Sequence, residues 1–327
     1  MKTFHRLTAV LLAIATFAAF AQDADWPNRP ITIISGFPAG AATDTYSRKL
    51  GADLSKTLGV SFITDSRTGA GGNIASGVVA QARPDGYTYL LGTAGTHAIN
   101  AALYPALGFD VVKDFSRIAL LGNLPNVLLV NPEKHPDIKT CADLIALARK
   151  KPGELNYAST GNGASGHLAA TQFGTASNTT FTHVPYRGQG PAMTALLAGE
   201  VDFFFNQSTP SIAPVKSGKL RALATTSSAR IAALPDVPTA AEACNLPGFE
   251  STTWYALFGP AHLPAPIQAK MSDAVIKAIG TPEFKSWLVD QGIAPIADAG
   301  PEAFLKLQLA DIDRWAKVVK ASGAHVD

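Results

Sequence analysis

The stretch from Asn156 to Ala170, "NYASTGNGASGHLAA", reads as a short strand, a glycine-rich loop and the start of a helix. Gly161, Gly163 and Gly166 have the G-x-G-x-x-G spacing of a dinucleotide site, in which glycines let the backbone approach a pyrophosphate. Such a site also needs an acidic residue about 20 residues further on, but no Asp or Glu follows before Glu200. The stretch therefore predicts a loop for some other anion rather than an NAD site.

The first 21 residues, "MKTFHRLTAVLLAIATFAAFA", have the layout of a secretory signal peptide. Lys2 and Arg6 precede an apolar run, and small residues end it at Ala21. The run is shorter than the about 20 apolar residues of a membrane-spanning helix. We therefore predict a signal peptide over residues 1–21, cleavage after Ala21 and a periplasmic location, where no cytoplasmic NAD pool is available.

Charge excludes some partners of the exported chain. Two of the 27 Lys and Arg and none of the 25 Asp and Glu lie in the signal segment, so the mature chain is formally neutral. A neutral protein has no general attraction to nucleic acid or to anionic membranes. An anion must therefore be bound by local groups. At 327 residues with 47% hydrophobic content, the chain is long enough for two lobes.

Short apolar strands alternate with helical patterns along the whole chain, which predicts an α/β fold with parallel sheets. The segment "SRIALLGNLPNVLLVNP" (116–132) reads as two strands broken at Gly122 and Pro125, as expected where a chain passes between lobes. We predict lobe 1 over residues 22–123 plus 249–327 and lobe 2 over 124–248. Helical spacing of apolar residues predicts helices at Thr43–Leu58, Thr140–Lys150, His167–Phe173, Pro191–Ala198, Pro266–Ile279, Pro282–Asp290 and Pro301–Lys320.

Both lobes contain a strand that runs into a loop of small residues and then a helix. In lobe 1 the strand "ITIIS" (31–35) is followed by "GFPAGAATD" (36–44), and in lobe 2 "LNYAS" (155–159) is followed by "TGNGASGH" (160–167). Small residues let backbone N–H groups approach a ligand, and a helix start adds free N–H groups and a positive dipole end. Two such loops predict a cleft that holds an anion from both sides.

Five blocks in the chain resemble the Bug/TctC family, the extracytoplasmic solute-binding proteins of tripartite tricarboxylate transporters. They are "WPNRPITIISGFPAGAATDTYSR", "TGAGGNIASGVVAQARPDGYTYLLGT", "YASTGNGASGHLAA", "HVPYRGQGPAMTALLAGEVDFFF" and "GKLRALATTSSARIAALPDVPTAAEA". The resemblance extends from about Trp26 to the C-terminus. It implies a two-lobed periplasmic-binding-protein fold, similar to type II, with a ligand cleft between the lobes. It also implies a small carboxylate ligand, membrane subunits of a tripartite transporter as partners, and no catalysis.

The resemblance further implies that backbone amides and ordered waters of two loops hold the ligand carboxylate. The first loop corresponds to Phe37, Pro38, Ala39, Gly40, Ala41, Ala42, Thr43 and Asp44, and the second to Ser159, Thr160, Gly161, Asn162, Gly163, Ala164 and Ser165. Two positions depart from the family pattern. Gly36 stands where the family usually has Pro, and Ala41, which stands where it usually has Gly, is compatible only with a negative φ.

Several of these residues have two interpretations. Asp44 either compensates the helix dipole or holds a water that bridges to the ligand. Thr43 can be the N-cap of its helix, which would occupy its hydroxyl. Ser159 and Thr160 are turn residues or contacts to ligand and water, of which we favour the contacts. His167 either braces the loop or contacts the ligand.

The residues expected to face the rest of the ligand are mostly neutral. Arg187 is the one cation expected near the mouth, and Asn206 and Gln207 end the apolar strand "VDFFFNQ", where a cleft opens. We also assign further aromatic residues and neutral donors to the cleft: Phe37, Tyr186, Phe205, Trp254, Ser208 and Thr209. This set favours an aromatic mono- or dicarboxylate, such as terephthalate, over citrate, with aliphatic dicarboxylates close behind.

Cys141 and Cys244 are the two cysteines of the chain. In an oxidising compartment a pair is interpreted first as a disulfide. Both stand where the resembled family usually has another residue, and they lie near the two ends of lobe 2. We predict a disulfide, with two small buried apolar residues as the alternative.

Catalytic and metal-binding patterns are scarce. The sequence lacks G-x-S-x-G, H-E-x-x-H and a P-loop lysine, and its seven histidines show no metal-ligand spacing. We expect no enzyme activity, no metal, no cofactor and a monomer. The alternative function is ligand sensing, in which the closed form docks on a membrane receptor, and an exported enzyme is a further alternative.

Overall fold

The computed structural model describes residues 26–326, so the predicted signal peptide (1–21) lies outside the described range. The strands are β1 (Ile31–Ser35), β2 (Phe62–Ser66), β3 (Thr88–Thr93), β4 (Phe115–Val130), β5 (Asn156–Ser159), β6 (Thr182–Pro185), β7 (Phe203–Gln207), β8 (Arg221–Thr225) and β9 (Thr252–Pro260). The α-helices are α1 (Ala42–Leu58), α2 (Asn73–Ala80), α3 (Asn100–Leu103), α4 (Cys141–Lys150), α5 (Ser165–Ser177), α6 (Gln189–Leu197), α7 (Ser208–Lys216), α8 (Ala240–Ala243), α9 (Ala265–Ile279), α10 (Pro282–Asp290) and α11 (Pro301–Ser322). A 3₁₀ turn at Ala70–Gly72 precedes α2, and a π-helical turn at Gly95–Ile99 precedes α3.

The sheet of lobe 1 combines parallel and antiparallel pairs. β1 pairs in parallel with β2 and β3, and β9 runs antiparallel to β3. β4 then pairs antiparallel to β9, from Phe115 opposite Pro260 to Pro125 opposite Thr252. The first part of β4 therefore belongs to lobe 1.

The sheet of lobe 2 is built on the rest of the same strand. Asn126 lies opposite Gln207 and Val130 opposite Phe203, so this part of β4 pairs antiparallel to β7, and it also pairs antiparallel to β8. β5 lies between β6 and β7 and is parallel to both. One strand thus runs through both sheets and carries the chain from one lobe to the other.

This arrangement corrects two sequence predictions. The segment predicted as two broken strands is one strand of 16 residues. Gly122 lies within this strand, and its lack of a side chain is required there because a Cβ would collide with Ile293. The pairing of β4 with β9 shifts register between Leu120 and Gly122. Neither sheet is wholly parallel as predicted, because β9 runs antiparallel to β3 and β4, and β4 runs antiparallel to β7 and β8. The predicted lobe boundaries at 123/124 and 248/249 stay predictions.

Each lobe has its own apolar core. Lobe 1 buries rings such as Tyr46, Phe258 and Trp315 between its sheet and the C-terminal helices. In lobe 2 the strand β7 places Phe203 and Phe205 on one face and Phe204 on the other, so successive rings fill two different clusters. Each lobe can therefore keep its shape independently of the ligand.

Four helices lie where the sequence predicted none: the short α3 and α8, and the longer α2 and α7. α2 follows the "TGAGGN" loop, and α7 follows β7 although it contains Pro210 and Pro214. Proline normally interrupts a helix, so propensity argues against α7. Hydrogen bonds from Ser208 Oγ to the Gly292 oxygen (2.8 Å) and from Thr209 Oγ1 to the Gln291 oxygen (2.6 Å) anchor its first turn. Among residues 26–326, no helix is long and apolar enough to cross a membrane.

The predicted disulfide is confirmed. Cys141, the first residue of α4, is bonded to Cys244, which follows α8, and their Cα atoms lie 5.1 Å apart. The bond spans 103 residues of sequence, nearly the whole of lobe 2. It therefore ties together the two ends of this lobe.

Replacing both cysteines by serine is expected to lower the free energy of unfolding by about 2–4 kcal/mol, because the bond restricts a long segment of the unfolded chain. Urea unfolding of the oxidised wild type and of the Cys141→Ser/Cys244→Ser protein measures the difference. A reducing agent should shift the wild-type midpoint and leave that of the double variant unchanged. Equal midpoints for the two oxidised proteins would contradict the expectation.

Candidate functional site

A cavity of about 1130 Å³ lies between the lobes, where the two predicted loops face each other. Eleven of the fourteen predicted binding residues line it: Phe37, Gly40, Ala41, Thr43, Thr160, Gly163, Ala164, Ser165, Arg187, Asn206 and Gln207. The carboxyl ends of β1, β5 and β7 all open towards this space. The fold therefore brings together segments that lie far apart in sequence.

Ala39, Asp44 and Ser159 are the predicted residues that do not line the cavity. Ala39 is exposed at the tip of its loop. Asp44 and Ser159 are buried, and both make hydrogen bonds within their own loops. Their contribution is to shape these loops.

The first loop approaches the cavity with an extended backbone at the helix start. Ala41 is the N-cap of α1 with φ −67° and ψ 162°, so the residue that replaces the usual glycine has the negative φ it requires. Gly36 has no room for a side chain, since a Cβ would lie 2.7 Å from the Gly72 Cα. Thr43 was wrongly predicted as the N-cap; its Oγ1 accepts a hydrogen bond from Ser35 Oγ at 3.1 Å.

Asp44 holds the first loop through one carboxylate oxygen. Its Oδ2 accepts hydrogen bonds from the Gly40 N–H and from Arg48 Nε, both at 3.0 Å. The hydrogen bond from Arg48 keeps the pKa of Asp44 below its usual value. The carboxylate is therefore ionised at neutral pH. Its other oxygen, Oδ1, is buried without a hydrogen-bond partner among residues 26–326.

The second loop is braced from within lobe 2. Ser159 Oγ accepts a hydrogen bond from the Gly161 N–H at 3.1 Å and donates one to the Gly161 oxygen at 3.0 Å. The Gly163 N–H donates to His167 Nδ1 at 3.0 Å. Of the two interpretations of His167, the structure shows the loop brace. The Gly163 N–H is thus occupied and does not point free into the cavity.

Four helices that begin at the cavity have no side-chain N-cap. Their N-cap residues are Ala41 of α1, Ala164 of α5, Gly188 of α6 and Gln207 of α7, all of which line the cavity. Three helices that begin elsewhere, α4, α8 and α10, are capped by the hydroxyls of Thr140, Thr239 and Thr281, whereas α2, α9 and α11 also begin away from the cavity and have no side-chain N-cap. An uncapped helix start presents N–H groups and the positive end of its dipole. The cavity is therefore suited to an anion.

Side chains add little negative charge to this environment. Among the described residues that line the cavity there is no Asp or Glu, and Arg187 is the only Lys or Arg. Arg187 is exposed at the rim, next to the start of α6. Within residues 26–326 no group of three or more His, Cys, Asp or Glu side chains is placed to hold a metal ion.

Four of the side chains predicted for the cleft do not line the cavity. Trp254 is buried and donates from Nε1 to Asp311 Oδ2 at 2.8 Å, and Tyr186 does not line the cavity. The hydroxyls of Ser208 and Thr209 donate hydrogen bonds to the backbone oxygens of Gly292 and Gln291. Both hydroxyls therefore anchor α7.

Several residues of the cavity wall were not predicted from the sequence. Asn126 lies in β4 where its pairing changes from β9 to β7, and its Oδ1 accepts a hydrogen bond from Ser165 Oγ at 3.4 Å. A polar residue inside the apolar run "LPNVLLV" was the available signal. Other wall residues that were not predicted include Tyr104, Thr253, Tyr255, His325 and Val326. No local pattern marks these, because they reach the cavity only through tertiary packing.

Comparison with known proteins agrees with this geometry. The family described as "Tripartite tricarboxylate transporter family receptor" matches residues 46–324. The chain belongs to this family. It is 38% identical to the Agrobacterium vitis "UPF0065 protein in the TAR-I ttuE-ttuC' intergenic region" over 97% of this chain and 92% of that one. The resemblance inferred from the five sequence blocks is thereby confirmed.

Two solved structures of the same kind contain ligands. R. palustris Rpa4515 with adipate shares 35% identity and a TM-score of 0.84, covering 92% of this chain and 100% of its own. MatC from Rhodopseudomonas palustris with bound malate shares 34% identity and a TM-score of 0.79, covering 90% and 100%. These similarities confirm the two-lobed periplasmic-binding-protein fold. The family and these neighbours are solute-binding receptors, not enzymes.

Gly163 provides a test of how closely the lobes must pack. Its φ is +71°, and a Cβ would collide with Leu103 of α3 on the lobe 1 wall. Gly163→Ala is therefore expected to weaken ligand binding by about tenfold or more, equivalent to about 1.4 kcal/mol. Leu103→Ala in the same chain should recover the steric part of the loss and leave the cost of the positive φ.

Gly190→Ala is the matched control, because Gly190 lines the same cavity, has no positive φ and has open space around its Cα. Calorimetry on the four proteins measures the effect. Wild-type affinity in Gly163→Ala would show that binding does not require this approach of the two walls.

Proposed function

We propose that this protein is a periplasmic receptor that captures a small carboxylate between its lobes. The lobes close around the ligand, and the closed form delivers it to the membrane subunits of a tripartite transporter. Closure follows if the ligand binds the closed state more tightly than the open one. Family membership supports the class of protein and of partner.

The observation that carries this proposal is the convergence of four uncapped helix starts on a cavity without lining carboxylates. Backbone N–H groups and helix dipoles bind an anion without requiring a large positive charge on the protein. A carboxylate accepts several such hydrogen bonds at once, and charge-assisted bonds are the strong ones. We place the first carboxylate between the starts of α1 and α5.

The remaining wall indicates what the rest of the ligand contains. Phe37, Tyr104 and Tyr255 supply apolar and aromatic surface, and Arg187 supplies one cation at the rim. We propose a dicarboxylate with an apolar body, with the aromatic terephthalate as the leading candidate. Adipate and malate, found in the two R. palustris neighbours, are the aliphatic candidates. Citrate, with more charges than the wall has cations, fits less well.

A thermal-shift screen tests the class of ligand. We expect stabilisation by terephthalate or adipate, because a ligand at about 100 times its Kd adds roughly 2.7 kcal/mol of stability. The dimethyl ester of the same acid, which lacks the charges, should have no effect. If terephthalate, adipate, malate, citrate and benzoate all leave the melting temperature unchanged, the protein is not a receptor for such acids.

Arg187→Gln tests the second carboxylate. The variant should bind dicarboxylates about tenfold more weakly, a loss of about 1.4 kcal/mol, and benzoate as the wild type does. Lys219→Gln, at an exposed position outside the cavity wall, is the matched control. Equal loss for mono- and dicarboxylates would place Arg187 at the first carboxylate instead.

The proposed location rests on the N-terminal sequence and on the disulfide, which forms in oxidising compartments. Mass spectrometry of the protein released by osmotic shock should find a mature chain that begins at Gln22. A cytoplasmic protein that retains Met1 would contradict export.

A further inference from the structure

A second, smaller cavity lies behind the second loop. Its volume is about 600 Å³, and it separates α5 and β6 of lobe 2 from the chain end that follows α11. His167 and His183 line it, and Asn162 and His325 line both this cavity and the ligand cavity. The second loop is therefore a thin wall with the ligand cavity on one side and two imidazole rings on the other.

The two rings form a stacked pair. His167 and His183 lie with ring centroids 3.9 Å apart and an interplanar angle of 6°, and Tyr157 stacks on His183 at 5.0 Å. Each ring holds a different end of the loop. His167 Nδ1 accepts from the Gly163 N–H at 3.0 Å, and His183 Nε2 lies 2.6 Å from Ser159 Oγ, which itself holds Gly161.

The hydrogen bond from Gly163 decides the state of His167. An Nδ1 that accepts a hydrogen bond carries no proton, so the ring is neutral with its proton on Nε2. Other titratable groups facing the pair are Tyr157 on β5 and His325 after α11. Among the described residues that line this cavity there is no Asp, Glu, Lys or Arg, so no carboxylate compensates a charged ring.

We propose that His167 and His183 are positioning residues that hold the 161–163 loop in its ligand-binding form while both rings are neutral, and that release it when His167, or both rings together, become protonated. This inference rests on the proposed function, because the loop is taken to be part of the carboxylate site. Protonating His167 Nδ1 removes the acceptor of the Gly163 N–H. Protonating both rings places two positive charges against each other at stacking distance, so the pair separates and the loop loses both anchors.

The sign of the pH effect follows from burial. Burial lowers the pKa of His167 to about 4, with the neighbouring His183 as a further cause, and burial alone lowers the pKa of His183 to about 4. The ordinary value is 6.5, so folding favours the neutral rings. Their contribution to stability is complete above pH 6.5 and is lost as the pH falls towards 4. Ligand affinity should fall as the pH passes through about 4.

The experiment compares the wild type with His167→Asn/His183→Gln. Asn can present an amide oxygen where Nδ1 lies and Gln an amide where Nε2 lies, so both anchors are kept but neither can titrate. Kd values for terephthalate and adipate are measured by calorimetry from pH 7 to pH 3.5, with circular dichroism to confirm the fold at each pH. At each pH the ligand is protonated to the same extent for both proteins. The ratio of their Kd values therefore reports the effect of protonating the two imidazole rings.

We expect the wild type and the double variant to have equal Kd values at pH 7. The wild-type Kd should be about two- to fourfold higher than that of the variant at pH 4 and about tenfold higher at pH 3.5. His167→Phe, which keeps a ring but removes the acceptor, should bind about tenfold more weakly at pH 7, and His167→Asn should restore binding. The exposed His262→Asn is the control and should follow the wild-type profile.

Coincident pH profiles for the wild type and the double variant would overturn the inference and leave the proposed function intact. Wild-type affinity in a folded His167→Phe protein at pH 7 would do the same. If the wild type binds no acid of the panel at pH 7, the proposed function fails, and this inference fails with it.

Discussion

The hydrogen-bond ladder of β4 is the constraint on which the rest of the molecule depends. From Phe115 to Pro125 the strand is paired with β9, and from Asn126 to Val130 with β7 and β8. Because β4 cannot leave either sheet without breaking these hydrogen bonds, the two sheets are joined where the strand changes partners, between Pro125 and Asn126. The carboxyl ends of β1, β5 and β7 then face a common space, and the helices that follow them point their starts into it.

This geometry explains how a formally neutral chain can offer an anion a favourable site. The positive character comes from the backbone at four helix starts, not from a cluster of Lys and Arg. Backbone groups are held by the fold, so their geometry depends on what supports the loops. Asp44 supports the first loop, and the pair of His167 and His183 supports the second. We propose that specificity depends on the few side chains of the wall, such as Phe37 and Arg187.

Much of the fold could be predicted because its signals are local. The glycine-rich loops, the helix patterns and the pair Cys141 and Cys244 each depend on nearby residues or on composition. Predictions failed where packing overrides local preference. Gly122 was interpreted as a break between two strands, but it lies within β4, where its missing side chain leaves room for Ile293. Helix α7 forms in spite of two prolines because hydrogen bonds to Gln291 and Gly292 anchor its first turn. Ser208 and Thr209 looked like ligand donors, but the same contacts occupy them.

The sequence by itself determined the α/β class, the two loops with their helix starts, the disulfide and the family. These follow from periodicity, small residues, motif order and the presence of two cysteines in an exported chain, all of which are visible in the sequence. Only the tertiary structure decided which groups face the ligand cavity. Asn126 enters it because β4 changes partners there, and His167 faces away from it because the Gly163 N–H needs an acceptor. The physical reason is that a hydrogen bond forms only when the donor points at a nearby acceptor, and which acceptor lies near each donor depends on the packing of the folded chain.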